Sequence, residues 1–442
     1  MKFNALLDVN VVAHETTDEV AVLLDLEAPA AVRDGQRPPS SLQVVLDRSG
    51  SMGGPPLEGA KQALIALVQR LEPSDNFGLV TFDDEAQVVV AAGPLTDKAA
   101  VVQQILAVHG GGSTDLGAGY LRGLRELRRV VSTSSTSSTT EGSSTTEGSS
   151  TGGKGGGTLL VISDGHVNAG ITDVDQFASL TGKAYADGVV TSTLGYGRGY
   201  DETLLAAIAR SGSGNHVFAA DPDAAGAAIA KEVDGLLDKV VQAATLTVHF
   251  EPTVQMLRLY NDLPAQQIGV GQVMIELGDL YAQEERKLLM RFQVPAMAGL
   301  GLAQIATLEL QYVELPGLVE HTVKLPISVN VVPGDEAAQR IPHPTVRSEV
   351  LFQEAQDSKK RASEAFERGD LQAGQALLGE TDVALDAALA IAPAEVADSI
   401  RAEKEEVARM TGLTDDVGSA YMSKMTRDSY HRQNRKRGRR PE

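Results

Sequence analysis

Cysteine and tryptophan are both absent from this chain of 442 residues, and aromatic residues make up only 4% of it. Without cysteine there is no disulfide, no thiolate metal site and no cysteine nucleophile. Long apolar runs are missing too. None approaches the roughly 20 residues of a membrane-spanning helix, so no membrane span is predicted. The opening Met1-Lys2-Phe3-Asn4-Ala5-Leu6-Leu7-Asp8 lacks a signal-peptide core, because Asp8 and Asn10 interrupt it. These absences predict a soluble, cytoplasmic protein. Positive charge is scarce as well, with 39 Lys and Arg against 59 Asp and Glu and a net charge of −20. That balance argues against a specific nucleic-acid partner. The exception is the C-terminal end, where Lys424, Arg427, Arg432, Arg435, Lys436, Arg437, Arg439 and Arg440 gather. Residues 432–442 read as a solvated basic tail.

What is present divides into stretches of different periodicity. The length exceeds what one hydrophobic core serves, so two or three domains are expected. Residues 3–13 and 18–27 alternate as strands, through Leu7, Val9, Val11 and then Val20, Val22, Leu24, Leu26. From 42 to about 240, strands alternate with helices, the pattern of a parallel sheet with helices on both faces. Its strands are predicted at 42–46, 77–82, 158–163, 189–194 and 215–218, with an antiparallel edge at 86–91. Its helices are predicted from Pro56, from a Thr96 cap to Leu106, and over 115–131, 172–187, 201–211 and 221–240. Residues 132–157 are almost all Ser, Thr and Gly, which predicts a flexible insertion at the rim away from the site described next. From 244 to 332 the alternation returns, predicting a β-sandwich completed by the two N-terminal strands. After Pro342 and Pro344 the spacing is helical to about 431, with breaks at Gly369-Asp370, at Pro393 and at Gly412 with Asp415-Asp416. The expected domains are thus 1–40 and 243–333 as a sandwich, 41–242 as an inserted doubly wound α/β domain, 344–431 helical, and the tail.

The most informative stretch is Val44-Val45-Leu46-Asp47-Arg48-Ser49-Gly50-Ser51-Met52. A short apolar strand runs into a loop with one carboxylate and two hydroxyls at alternate positions. In extended backbone, alternate residues point to the same side, so Asp47, Ser49 and Ser51 converge. A carboxylate with neutral oxygens suits a hard divalent cation such as magnesium, which keeps several waters.

This D-x-S-x-S run resembles the first loop of the metal-ion-dependent adhesion site of von Willebrand factor type A domains, bacterial cytoplasmic type. Gly111-Gly112-Ser113-Thr114-Asp115-Leu116 looks like the second loop, and Leu159-Leu160-Val161-Ile162-Ser163-Asp164-Gly165 like the third. The resemblance implies Thr114 and Asp164 as the remaining ligands, around Mg2+ or alternatively Mn2+ or Ca2+. Asp47 would reach the ion directly or through water, and Asp164 through water. Asp115 is expected as a helix cap or outer-shell acceptor, and Asp83 with Asp84 as acceptors for metal waters or as turn residues. The resemblance also implies a binding module in which a partner protein's Asp or Glu completes the coordination, with a scaffold or assembly role. In some relatives the loops rearrange and shift the last helix, here 221–240.

Self-association is a further expectation, with Glu403, Glu405 or Glu406 of the helical region occupying the ion in cis or from a second copy. A metal-dependent hydrolase is the alternative, but it needs a general base and a pocket that the sequence does not reveal. His166 follows Asp164, yet no G-x-S-x-G elbow surrounds Ser49 or Ser51, so His166 reads as a loop residue. His249 reads as half-buried structure. A surface adhesin would need the missing signal peptide.

Overall fold

The computed structural model describes residues 1–30, 39–136, 156–164, 167–196, 201–219, 239–315 and 319–435. The chain forms two compact units: Met1–Ala30 with Ala244–Val313 and Glu320–Glu442, and Ala31–Ala243 with Glu314–Val319. The first unit opens with β1 (Lys2–Leu7), β2 (Val11–Ala13) and β3 (Asp18–Glu27). The single strand expected over 3–13 is two strands in different sheets. Asp8 divides them, because its carboxylate accepts the N–H groups of Val9 at 2.7 Å and Ala21 at 2.8 Å and turns the chain out of the ladder.

The second unit is the expected α/β architecture. Its sheet contains β4 (Ser41–Asp47), β5 (Asn76–Phe82), β6 (Ala86–Pro94), β7 (Gly157–Ser163), β8 (Val189–Tyr196) and β9 (Ser213–Ala219). Their order is β6-β5-β4-β7-β8-β9, with only the β5–β6 pair antiparallel. The helices are α1 (Pro55–Arg70), α2 (Lys98–Leu106), α3 (Leu116–Thr136), α4 (Val174–Ala186) and α5 (Glu202–Ser211). Side chains alternate across the sheet, so each strand serves two cores. Val44 and Leu46 of β4 pack with Leu57, Leu64 and Val68 of α1. Val45 packs with Tyr120 and Leu124 of α3 on the other face. Cap residues fix helix starts: Asp97, not Thr96, caps α2 by accepting from Ala100 N at 2.9 Å.

α3 lies unusually close to the sheet because Gly119 and Gly123, four residues apart, face it. A Cβ at Gly119 would fall 2.6 Å from Cδ1 of Phe82, and one at Gly123 would strike Cγ2 of Val45. The helix runs to Thr136, five residues past the expected end, and residues 137–155 of the Ser/Thr/Gly insertion lie outside the described residues. The same holds for most of the helix expected over 221–240. Its last two positions, Lys239 and Val240, are already strand.

β10 (Lys239–Phe250) begins in the second unit and runs on into the first, which continues with β11 (Gln255–Leu259), β12 (Ala265–Gly269), β13 (Gln272–Tyr281), β14 (Glu285–Val294) and all but the end residues of β15 (Gly301–Glu314) and β16 (Val319–Val332). They form two sheets, β1-β3-β14-β11 and β12-β13-β10-β15-β16-β2. Next come a turn of helix at Gly334–Ala337, then α6 (Pro344–Glu367), α7 (Leu371–Ile391), α8 (Ala394–Val417) and α9 (Ser419–Arg435). Val346 and Val350 of α6 pack on Ala21 and Leu23 of β3 and Leu289 of β14, so the helical region covers a sheet face. Among the described residues no helix is long and apolar enough to cross a membrane.

Three expectations for this region are corrected. Gly412 does not break a helix; Gly418 does, at φ 74, a left-handed conformation that glycine adopts without strain. The basic end does not begin as a free tail at 432, because α9 continues to Arg435. Within α9, Asn434 is buried and its side chain bonds Tyr260 O at 3.1 Å and Gln353 at 2.9 Å. Arg427 pairs with Glu367 and Arg432 with Asp428 and Glu406. Glu403 is unavailable as a self-ligand, being fully buried in an ion pair with Lys359. His249 lies 3.3 Å from Glu309 on the sheet.

The close approach of α3 makes a direct prediction. Gly123→Val forces the helix off β4 and should cost about 1–3 kcal/mol by overpacking. Gly379→Ala in α7, where a Cβ meets nothing within 4 Å, should instead stabilise by up to about 1 kcal/mol through helix propensity. Urea denaturation of both variants measures the contrast; equal effects would contradict the tight α3 contact.

Candidate metal site

Asp47 is the last residue of β4, and Asp164 follows β7 directly. These two strands are neighbours. The chain leaves β4 toward β5 on one side and leaves β7 toward β8 on the other. That reversal opens a crevice at the carboxyl ends of the strands, where open α/β sheets bind ligands. Asp47 is fully buried. Its Oδ1 accepts from Ser49 N at 2.8 Å, and its Oδ2 from Ser163 Oγ at 2.6 Å. The hydroxyls of Ser49 and Ser51 are 3.2 Å apart, and Ser51 donates to Asp164 Oδ1 at 3.0 Å. Asp47, Ser49, Ser51 and Asp164 therefore form one unbroken hydrogen-bonded chain.

The second loop is tied to the first by backbone alone. Gly111 N donates to Arg48 O at 2.7 Å and Gly50 N to Gly112 O at 3.1 Å. Gly112 has φ +80, and a Cβ there would lie 2.9 Å from Cβ of Asp83, so both conformation and space demand glycine. Thr114 is buried at the end of this loop. Its N–H donates to Oδ1 of Asn168 at 2.9 Å and its carbonyl accepts from Asn168 N at 3.2 Å. Asp115 caps α3, accepting from Ala118 N at 2.9 Å. Asp83 is held by Arg48 at 2.9 Å and by Glu85 N at 3.1 Å, and Asp84 by Ser113. His166 lies outside the described residues.

Two supporting residues escape a reading of the sequence, Ser163 and Asn168. Ser163 carries a faint signal, as the polar end of an otherwise apolar buried strand. Asn168 carries none, since only the folded loop brings its amide to Thr114.

Electrostatics distinguish this crevice from an ordinary turn cluster. Burial pushes the Asp47 carboxyl up, against the pull of its bonds from Ser163 and Ser49, and the charge of Asp83 adds to the rise. Burial and the neighbouring Asp47 push Asp164 up to about 6. Among the described residues no Lys or Arg forms an ion pair with either carboxylate. Among those residues, too, no three carboxylate, imidazole or thiol groups gather closely enough to hold a metal. A cation here would have two carboxylates and hydroxyl oxygens, a donor set that fits a hard divalent ion retaining water.

The folded pKa of Asp164 exceeds its unfolded value, so the folded chain holds the extra proton. The metal-free protein then loses stability as pH rises from about 4 to 6. In chelator at pH 7, Asp164→Asn should be more stable than wild type by about 1 kcal/mol, after discounting for partial exposure. Thermal melts should show that gap close near pH 4, and a gap independent of pH would contradict the repulsion.

The family model of the von Willebrand factor type A domain matches residues 42–230. A von Willebrand factor type A protein from Catenulispora acidiphila shares the fold with a TM-score of 0.71 at 16% identity, over 99% of this chain and 97% of that one. The ArnB paralog VWA2 from Sulfolobus acidocaldarius gives a TM-score of 0.61 at 13% identity, over 97% of each. The uncharacterised protein sll0103 of Synechocystis is 27% identical over 315 residues, 68% of this chain and 69% of its own. YfbK of Escherichia coli is 27% identical over 239 residues, but these make up only 38% of its length. Sheet order, switch-point crevice and family match agree: residues 42–230 are a von Willebrand factor type A domain.

Proposed function

We propose that this domain holds a divalent cation, Mg2+ or Mn2+, through Asp47, Ser49, Ser51, Thr114 and Asp164, and uses it to bind an acidic side chain of a partner protein. The observation that carries this reading is the hydrogen-bonded chain from Asp47, through the N–H and hydroxyl of Ser49 and the hydroxyl of Ser51, to Asp164, with no Lys or Arg paired to either carboxylate among the described residues. When bound, the cation supplies net positive charge and an open position for a carboxylate. The chain's own residues prepare that position. Ser163 and the Ser49 N–H each occupy one side of Asp47, leaving further lone pairs on the same oxygens. Ser49 and Ser51 present hydroxyl oxygens on the same side. Asn168 fixes the backbone of Thr114, and the Gly111–Arg48 and Gly50–Gly112 bonds fix the spacing of the two loops. Such outer supports set the geometry of ligands in metal sites generally. The role that follows is metal-dependent association, as a scaffold or assembly factor.

Calorimetric titration of Mg2+ and Mn2+ into the full chain tests the reading. Wild type should show one saturable site, and Asp47→Ala should weaken it at least about tenfold, the lower end of the range seen even for changes to ligand-supporting residues. Equal binding by the two proteins would overturn it.

A further inference from the structure

Arg48 is the first spacer of D-x-S-x-S, and its side chain pairs with Asp83, not with Asp47 or Asp164. Its Nη2 lies 2.9 Å from Oδ2 of Asp83, in a pair whose side chains are only 25% and 13% exposed. Its Nε is buried with no hydrogen-bond partner. An unpaired buried guanidinium N–H is unfavourable, so Arg48 is not placed to satisfy itself. Asp83 is what it serves. Asp47 is opposite Phe82 in the β4–β5 ladder, so Asp83 stands one residue beyond the rung of the buried carboxylate. Asp83's charge is felt at Asp47. Its position is further fixed by Glu85 N at 3.1 Å, and its carbonyl accepts from Asp115 N at 2.9 Å. Gly112, on the loop that carries Thr114, leaves it room, since a Cβ there would fall 2.9 Å from Cβ of Asp83.

We infer that Arg48 is a positioning residue that withholds Asp83 from the cation, so that the ion is met by two carboxylates and not three. The inference rests on the metal-binding reading above. A carboxylate without a counter-charge, next to the strand that delivers Asp47, is drawn toward a dication. Each added carboxylate tightens metal binding. It also cancels the positive charge that attracts an acidic partner, since complementary charge across an interface favours association. Because the pair is largely buried, salt screens it less than a surface pair. In this arrangement the ion binds less tightly but stays electrophilic.

The test uses the full chain with Mn2+ as metal probe and acetate as carboxylate probe. Calorimetry gives affinity, and water-proton relaxation reports the waters left on the bound ion. Arg48→Gln should bind Mn2+ about tenfold more tightly, with weaker relaxation enhancement per bound ion and about tenfold weaker acetate binding, as expected for one added charged ligand. Arg48→Gln/Asp83→Asn should return all three readings to wild type. Asp83→Asn alone should change Mn2+ affinity by no more than about threefold, whatever the folding of the Arg48 variant, because it removes a charge felt at Asp47 but no ligand of the ion. Unchanged or weaker Mn2+ binding by Arg48→Gln, no rescue in the double variant, or a tenfold loss in Asp83→Asn would each overturn the inference. Asp47→Ala separates the two levels: wild-type Mn2+ binding by that variant would remove the metal site itself, whatever Arg48 does.

Discussion

Two carboxylates held close in a crevice, with no Lys or Arg paired to either among the described residues, make up the interaction on which the α/β unit turns. Asp47 is buried at the end of the central strand, and Asp164 follows the strand beside it. Unpaired buried charge costs free energy, and a protein that keeps it at a functional position obtains something in return. Ser49, through its N–H at Asp47, and Ser51, through its hydroxyl at Asp164, link the two acids without neutralising either. On the proposed reading, a divalent cation would meet the resulting deficit of positive charge.

Sheet topology makes that crowding possible. Parallel strands send their following loops to one rim, and the reversal of strand order between β4 and β7 opens the crevice there. Glycines at 119 and 123 then let α3 lie against the sheet, which sets the start of the helix, with Asp115 and Thr114, at the same rim. Backbone bonds between residues 48–50 and 111–112 join the loops without using any candidate ligand side chain. The scaffold is thus assembled by packing and main-chain bonds, and the side-chain oxygens remain for a ligand.

Much of this was legible from local pattern. The alternation of strand and helix over 42–219 required only apolar spacing, and the D-x-S-x-S run announced itself by chemistry. What stayed hidden depends on contacts distant in sequence. Ser163 donates to Asp47 across 116 positions, and Asn168 reaches Thr114 across 54. The Arg48–Asp83 pair depends on the strand register, so the spacing of Asp83 alone left it open between a water acceptor and a turn residue. Errors had physical causes too. The strand predicted over 3–13 ignored the capacity of Asp8 to bond backbone N–H groups. The helix break was assigned to Gly412, whereas Gly418 alone of the two has a positive φ. Glu403 looked like any surface acid of an amphipathic helix until Lys359 was found buried against it.

The most direct measurement is a crystal structure of the full chain grown with Mn2+, with the ion located by its anomalous scattering. A single strong peak within coordination distance of the Ser49 and Ser51 hydroxyls, between Asp47 and Asp164, is the predicted result. A bound ion elsewhere, or a Lys or Arg filling that space in the presence of saturating Mn2+, would contradict it.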